Sequence, residues 1–340
     1  MFSPLSLLHS SIPSPDPQWQ VLFNVSEWLR DAFGWDLPFD IRIHTYAICL
    51  LLGMVAAALI TDARLHRRGT DRGAVLDVAL WAIIFGIIGA RAWHVLTHPD
   101  DYFGADKNPL EILAIQNGGI AIFGSLVGGA VGAWIGCRLS GLRFWTFADA
   151  LAPGLLVAQA LGRLGNYFNH ELFGTPTDLP WGLEIESSNP AFPAGLEDGT
   201  LFHPTFLYEM LWNLFGVVLI LLIEREYRLQ WGKVFGLYLI WYGLGRSWFE
   251  SIRVDPSELF LGIRSNVWGA FLAIFIGVVI LFVQSRRHPG REPGPYMPGR
   301  EPERSAEVDS DDTYSEEDEI GDVAEESTET PATSGAGTKS

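Results

Sequence analysis

The sequence predicts an all-α, polytopic integral membrane protein of seven transmembrane helices, with its N-terminus outside and its C-terminus in the cytoplasm. Three observations predict it. The 340-residue chain is 48% hydrophobic although its end is strongly polar: residues 301–340 hold 14 acidic and 2 basic side chains, a net charge of −12 out of −17. The other 300 residues therefore carry only −5, together with nearly all of the 13 Trp, 21 Phe and 36 Gly. Seven runs come close to the ~20 apolar residues that cross about 30 Å of hydrocarbon as a helix. Finally, Lys and Arg alternate between the loops as the positive-inside rule requires.

Along the chain, Met1 to Pro17 lack a basic flank and an apolar core, so no cleavable signal peptide is expected. Trp19–Phe33 has apolar side chains at helical spacing and reads either as a short helix lying in the outer interface or as a loosely ordered arm. These residues belong to an extracytoplasmic arm, 1–42. The seven spans, Ile43–Ile60, Asp77–Leu96, Gly118–Cys137, Phe147–Gly165, Thr205–Ile223, Val234–Phe249 and Asn266–Val283, build a membrane domain over 43–284. Pro153, Gln159 and Arg163 interrupt the fourth. Connections 1–2, 3–4 and 5–6 carry nine Lys/Arg and the alternate ones three. That bias requires an odd number of spans if the C-terminus is cytoplasmic, and so includes the fourth. The Pro- and Gly-rich connection within 166–203 reads as an outer loop. Gly124, Gly128, Gly132 and Gly136 form a stripe suited to close helix packing inside the bundle. Residues 285–340 read as a disordered acidic tail, dispensable for activity even when the chain is cut after Arg287. A docking segment with Ser310, Thr313 and Ser315 as phosphorylation sites is the alternative there.

Composition also excludes classes. Cys49 and Cys137 both lie in apolar runs, so neither a disulfide framework nor a thiolate metal cluster is expected. The basic cluster Arg64–Arg72 flanks a span, which suits a membrane surface and not nucleic acid. No nucleotide-binding glycine pattern occurs, and no cofactor is expected. His170-Glu171-Leu172-Phe173-Gly174 begins like a zinc-protease helix but lacks the second His, so no metal is expected either.

Polar side chains at membrane depth need a reason, since a central Arg costs about 2.5–3.5 kcal/mol. Here they gather at one side. His44, Tyr46, Arg91, His94, Asn117, Arg163, Asn166, Tyr208, Glu209, Arg246 and Glu250 all fall at span ends in the outer half, with nothing comparable in the inner half. Each also has a structural reading: Arg246 and Glu250 are spaced to neutralise one another, and Glu209 suits a buried arginine's partner. Arginines facing one cavity suit a phosphate, because guanidinium donors match its oxygens and keep their charge when desolvated. This reading reaches a protein that handles outer-leaflet phospholipid. Transfer, hydrolysis and translocation stay open on these grounds; a translocase would call for an internal repeat and polar residues through both halves, an intramembrane protease for a catalytic constellation.

The run Gly162-Arg163-Leu164-Gly165-Asn166-Tyr167-Phe168-Asn169-His170-Glu171-Leu172-Phe173-Gly174 resembles the signature of prolipoprotein diacylglyceryl transferases. His44-Thr45-Tyr46, His203-Pro204-Thr205-Phe206-Leu207-Tyr208-Glu209 and the run from Tyr242-Gly243 through Arg246 and Glu250 to Arg253 resemble three more of the family's motifs, in the same order. Gly89-Ala90-Arg91 and Asn117-Gly118-Gly119 also fit. The resemblance covers about residues 40–285. It implies transfer of diacylglyceryl from phosphatidylglycerol to the lipobox cysteine of a preprolipoprotein signal peptide, with glycerol phosphate leaving, in the bacterial inner membrane. Among the residues it implies, Arg163 and Arg246 bind the phosphate, Asn166 and Glu171 orient headgroup and loop, Tyr46 closes the site or donates a hydrogen bond, and Gly174 lets the loop turn. Asn117, Asn169, Arg91, His203, Tyr208, Glu209 and Glu250 complete the expected substrate site. The chain departs from the family at Phe123, where a His is frequent, at His170 in place of glycine and at Phe173 in place of tryptophan. The general base is accordingly unassigned, with His44, His203 and Glu171 as candidates.

Overall fold

The computed structural model describes residues 11–103, 107–115, 118–255, 257 and 259–301. The expected N-terminal helix is shorter than its apolar spacing implies. Pro17–Gln20 form a single 3-10 turn, Val21–Asn24 (β1) is extended and pairs antiparallel with Arg42–His44 (β2), and the α-helix covers only Val25–Phe33 (α1). Asn24 sets that boundary, because its side-chain oxygen accepts the N–H groups of Ser26 and Glu27 at 3.1 and 3.2 Å as an N-cap.

Seven long helices follow, one for each expected span: α2 (Thr45–His66), α3 (Ala74–Thr97), α4 (Ile122–Leu139), α5 (Phe144–Phe168), α6 (Thr205–Tyr227), α7 (Lys233–Ile252) and α8 (Ser265–Arg287). Six are long and apolar enough to cross a membrane; α7 is long enough but more polar. The chain is thus a multi-pass helical protein.

The architecture is centred on α5, which packs against α2, α6 and α7. Buried positions make up 56% of its most apolar stretch, against 28% or less for the other five candidate spans. A helix shielded by protein is released from the demand for a fully apolar surface, which accounts for its Gln and Arg. Pro153 lies inside α5 and leaves a carbonyl without its helical partner. Arg64 of α2 fills that vacancy, donating to the Asp149 and Ala150 oxygens at 3.1 Å each.

The glycine stripe of α4 faces α3. A Cβ at Gly124, Gly128 or Gly132 would strike the carbonyl oxygen of Gly89, Phe85 or Trp81, and one at Gly136 would lie 2.8 Å from the Val78 Cα. These glycines serve contact within the bundle, as expected.

Alternation of direction brings the starts of α2, α4, α6 and α8 to the same end as the finishes of α3, α5 and α7. The connection between α5 and α6 covers this end with a small ordered lobe. Leu183–Glu184 (β3) pairs there with Leu201–Phe202 (β4), around a core of Phe173, Leu183, Ile185, Phe202 and Phe206. Ile12 of the N-terminal arm joins that core and bridges to Leu183.

The opposite end is not free of buried charge, contrary to the sequence reading. Glu224 of α6 receives Arg64 and Arg68 at 2.8 and 3.1 Å. Asp149 is fully buried and accepts the N–H groups of Gly232 and Phe235 at 2.9 Å, capping α7 from a neighbouring helix. Loop composition hid this, because the partners come from four different helices.

The expected tail boundary at 285 also moves. α8 continues to Arg287, and the next residues bind the body. Glu292 accepts from the Thr146 hydroxyl at 2.7 Å and the Trp231 N–H at 2.8 Å, and Trp231 stacks on His288 at 4.0 Å. Arg143 donates to the Tyr296 oxygen at 2.7 Å, and the Tyr296 ring is buried with Leu65, Val78 and Leu142. Tyr296 closes the first of two compact units. In the second, described as far as Glu301, the Arg300 N–H donates to the Met297 oxygen at 3.0 Å. The acidic residues from 302 on lie outside the described residues.

A chain ended after Tyr296 is expected to keep its activity and melting temperature. One ended after Arg287 loses the buried tyrosine ring, worth about 1.5–3 kcal/mol, together with the Glu292 bonds. Thermal unfolding of both truncations in detergent checks this; equal melting temperatures would make the segment passive.

Candidate active site

The end of the bundle beneath the lobe is where α5, α6 and α7 place their charged side chains. Arg163, one turn before the end of α5, meets Glu209 of α6 through Nε at 2.7 Å, and its Nη1 donates to Asn166 Oδ1 at 3.1 Å. Asn166 in turn donates to Glu171 at 2.8 Å, and Asn169 reaches the same carboxylate oxygen at 3.3 Å. The turn that folds the chain back is made at His170 and Leu172, with φ of 53° and 60°. Gly174 does not make it, contrary to expectation. Glycine is required at 174 because a Cβ there would lie 2.7 Å from the His203 Cβ and 3.1 Å from Ile252.

Glu250 of α7 is the second centre and is completely buried. Arg246 approaches it at 3.0 Å, Arg264 at 3.5 Å and Arg253 at 3.7 Å, and Asn266 donates to it at 2.9 Å. Asp255 takes Arg253 through two bonds of 2.7 and 2.9 Å. Burial works against the Arg253 cation, but the Asp255 bonds outweigh it and hold the group above its ordinary range. The two centres together bring four arginines against the three carboxylates they pair with, and Glu171, held through Asn166, is a fourth.

Arg163 and Arg246 line one small cavity with about 30 Å³ of water-accessible space, enough for one or two waters. Gln159 of α5, Glu209 and Asn213 of α6 and Tyr242 of α7 also line it, and Trp212 forms a wall. Trp212 stacks on Trp241 at 4.1 Å, and each indole N–H donates to the other residue's carbonyl. That pair fixes α6 against α7. Among the described residues, Nη2 of Arg163 and Nη1 and Nε of Arg246 have no protein partner and can receive an anion.

The other expected residues stand around this centre or apart from it. Tyr46 of α2 packs on Gly165, one residue before Asn166. Tyr208 receives the Trp181 N–H at 3.1 Å and lies 3.2 Å from His203 Nδ1, at the rim. His44 precedes α2 and is exposed. Arg91 does not join the cluster. It is buried and donates to the carbonyls of Glu111, Ile112, Gly118 and Gly119, so it orders a loop. Gly118 and Gly119 have φ of 88° and 73°, and a side chain at 119 would collide with that guanidinium. Asn117 lies outside the described residues. His94 stacks on His98 and contacts the Tyr102 hydroxyl at 3.0 Å.

Sequence reasoning missed Arg264, Asn266, Asp255, Asn213 and Tyr242 as members of this centre. Spacing was the available signal for two of them: Asn213 falls four residues after Glu209 and Tyr242 four before Arg246, each on the same helix face.

The sequence model of prolipoprotein diacylglyceryl transferase matches residues 34–283, which runs from before α2 to the last turn of α8. The chain belongs to the prolipoprotein diacylglyceryl transferase family. Curated relatives agree along its length. A protein of Leifsonia xyli subsp. xyli named phosphatidylglycerol--prolipoprotein diacylglyceryl transferase is 59% identical over 330 residues, 94% of this chain and 95% of that one. Proteins with the same activity in their names, from Streptomyces coelicolor and Mycobacteroides abscessus, are 46% and 43% identical, covering 74% of this chain and 79% and 76% of their own.

Two of the chain's departures from the family pattern have a structural setting. Phe123 contacts Trp93 of α3 and lies against Gly269 of α8, so it closes a helix junction. His170 is buried, with Nδ1 within 3.2 Å of the Ser14 hydroxyl and 3.1 Å of Glu186, which joins the N-terminal arm to the lobe. Burial pushes the Glu186 carboxyl up, but the hydrogen bonds from Ser14, its own backbone and His170 outweigh it and keep the group below its usual range.

Proposed function

We propose that this family member transfers the diacylglyceryl group of phosphatidylglycerol to the lipobox cysteine thiol of a preprolipoprotein, at the cavity between Arg163 and Arg246. The observation that carries the site is the convergence of two arginines with free donors on one cavity. The cysteine sulfur attacks the terminal glyceryl carbon. The thiol gives up its proton, a sulfur–carbon bond forms as the carbon–oxygen bond breaks, and glycerol phosphate leaves with the electron pair as an oxyanion able to take up a proton. Guanidinium groups beside the leaving phosphate stabilise the charge it gains, and they favour the thiolate form of the incoming cysteine. Since a phosphate monoester leaves readily, most of the acceleration comes from holding thiol and carbon in line. The cavity is too small for the headgroup as it stands, so the arginine side chains swing apart to admit it. Asn166, Asn169 and Glu171 brace Arg163, and Tyr46 supports the Gly165 turn beside them.

All seven long helices span the bacterial inner membrane in this reading, α7 included because protein covers its charged face. The N-terminus and lobe lie outside, where phosphatidylglycerol and exported signal peptides meet, and the acidic tail lies in the cytoplasm. The nine-to-three loop charge bias supports that direction. Both native cysteines are buried, so introduced ones can be read cleanly. A membrane-impermeant thiol reagent added outside is expected to label a cysteine placed within Pro176–Gly199 and to miss one at Arg67. The reverse pattern would sink the topology and the outer-facing site together.

The activity is tested with purified protein, phosphatidylglycerol vesicles and a lipobox peptide. A mass gain of one diacylglyceryl unit is expected; peptide cleavage, or lipid movement without a mass gain, would overturn the reading.

A further inference from the structure

Beneath the arginines, the cavity continues toward the middle of the bundle with side chains that the reaction as described does not use. Asn213 follows Glu209 by four residues, while Gln159 and Tyr242 precede Arg163 and Arg246 by four. Each therefore sits about one helical turn, ~5–6 Å, further from the lobe. All three line the cavity. Asn213 is only 7% exposed and has no hydrogen-bond partner among the described residues. Gln159 donates to the Tyr238 hydroxyl at 3.0 Å, while its Oε1 is buried without a partner. An unpaired amide oxygen such as that of Gln159 is costly at such depth, whereas the Asn213 amide lines the cavity, where a water or a substrate group can meet it. The stacked Trp212 and Trp241 join α6 to α7 beside this level of the cavity.

We infer that Asn213 is a substrate-binding residue whose amide donates a hydrogen bond to an ester carbonyl of the diacyl phospholipid donor. The inference rests on the reading of Arg163 and Arg246 as the phosphate site. Depth selects the ligand group. With phosphate held at the arginines, the headgroup hydroxyls lie on the lobe side of it, whereas the ester carbonyls lie on the acyl side, where Asn213 sits. An amide N–H matches a carbonyl acceptor. Held at both phosphate and carbonyl, the glyceryl unit between them presents its terminal carbon in one direction, which is what in-line attack requires.

The test compares two donors in vesicles with the full-length protein: diester phosphatidylglycerol, and its diether analogue, which has alkyl ethers in place of both carbonyls but the same reacting carbon. Thioether formation on a lipobox peptide is measured for the wild-type protein and for Asn213→Leu. The wild-type kcat/KM is expected to favour the diester by about 3- to 10-fold, the scale of one neutral hydrogen bond. Asn213→Leu is expected to lower diester turnover by that factor, leave diether turnover unchanged and bring the ratio to about one. An equal loss on both lipids, or no wild-type preference, would overturn the inference. If the leucine variant fails to insert, Asn213→Ser decides by the same ratio. Failure of the phosphate reading looks different: Arg163→Ala and Arg246→Ala would keep their activity while the Asn213-dependent lipid preference survived.

Discussion

Arg163→Ala and Arg246→Ala should each lower diacylglyceryl transfer by about 100- to 1000-fold, the usual consequence of removing one preorganised group that stabilises transition-state charge. The expectation follows from their shared cavity and from the donors that each keeps free of protein partners. Lysine at either position restores charge but not the planar fork, so Arg163→Lys and Arg246→Lys should recover only part of the rate. Initial rates of thioether formation with purified, correctly inserted variants give the answer. Near wild-type turnover in both alanine variants would reduce the arginines to partners of Glu209 and Glu250.

Glu250→Ala should be the most destabilising single change in the site. It leaves Arg246, Arg253 and Arg264 around a cavity with no central carboxylate and removes the acceptor of Asn266. Breaking a buried ion pair by deleting one member costs about 3–5 kcal/mol, because the surviving charge stays desolvated. Arg253 retains Asp255 and Arg264 retains the carbonyls of Glu250, Arg253 and Asp255, so the loss falls chiefly on Arg246. Glu250→Gln keeps an acceptor for Asn266 and should lose less. Thermal unfolding in detergent separates the variants; an alanine variant that melts with the wild type would show that water or lipid takes the carboxylate's place.

Helix number and position were legible in the sequence because each span had to satisfy its own backbone and meet an apolar surround. α5 and α7 were the least apolar for a physical reason. Their partners are other helices, so hydropathy measures where they sit in the bundle as much as whether they span it. The pairing of Arg246 with Glu250 was legible because four-residue spacing is local. That of Arg163 with Glu209 spans two helices: Glu209 read as a buried arginine's partner, but no spacing rule named which arginine. Arg91 shows the limit of reading by depth: its level matched the other arginines, yet it turns to four loop carbonyls that no spacing rule foretells. The inner cluster around Glu224 and Asp149 was illegible because Pro153, Arg64 and the start of α7 meet only once the bundle is folded.

The clasp formed by Glu292 and Tyr296 bears on the order of biogenesis. Glu292 holds Thr146 at the start of α5 and Trp231 at the start of α7, while Arg143, just before α5, reaches Tyr296. Those contacts unite hairpins that leave the ribosome well before residue 292 has been translated. Until then, each helical hairpin can insert, but that end of the bundle lacks its fastener. A ribosome halted a few codons early would therefore leave a chain with every long helix made and one end of the bundle unlatched.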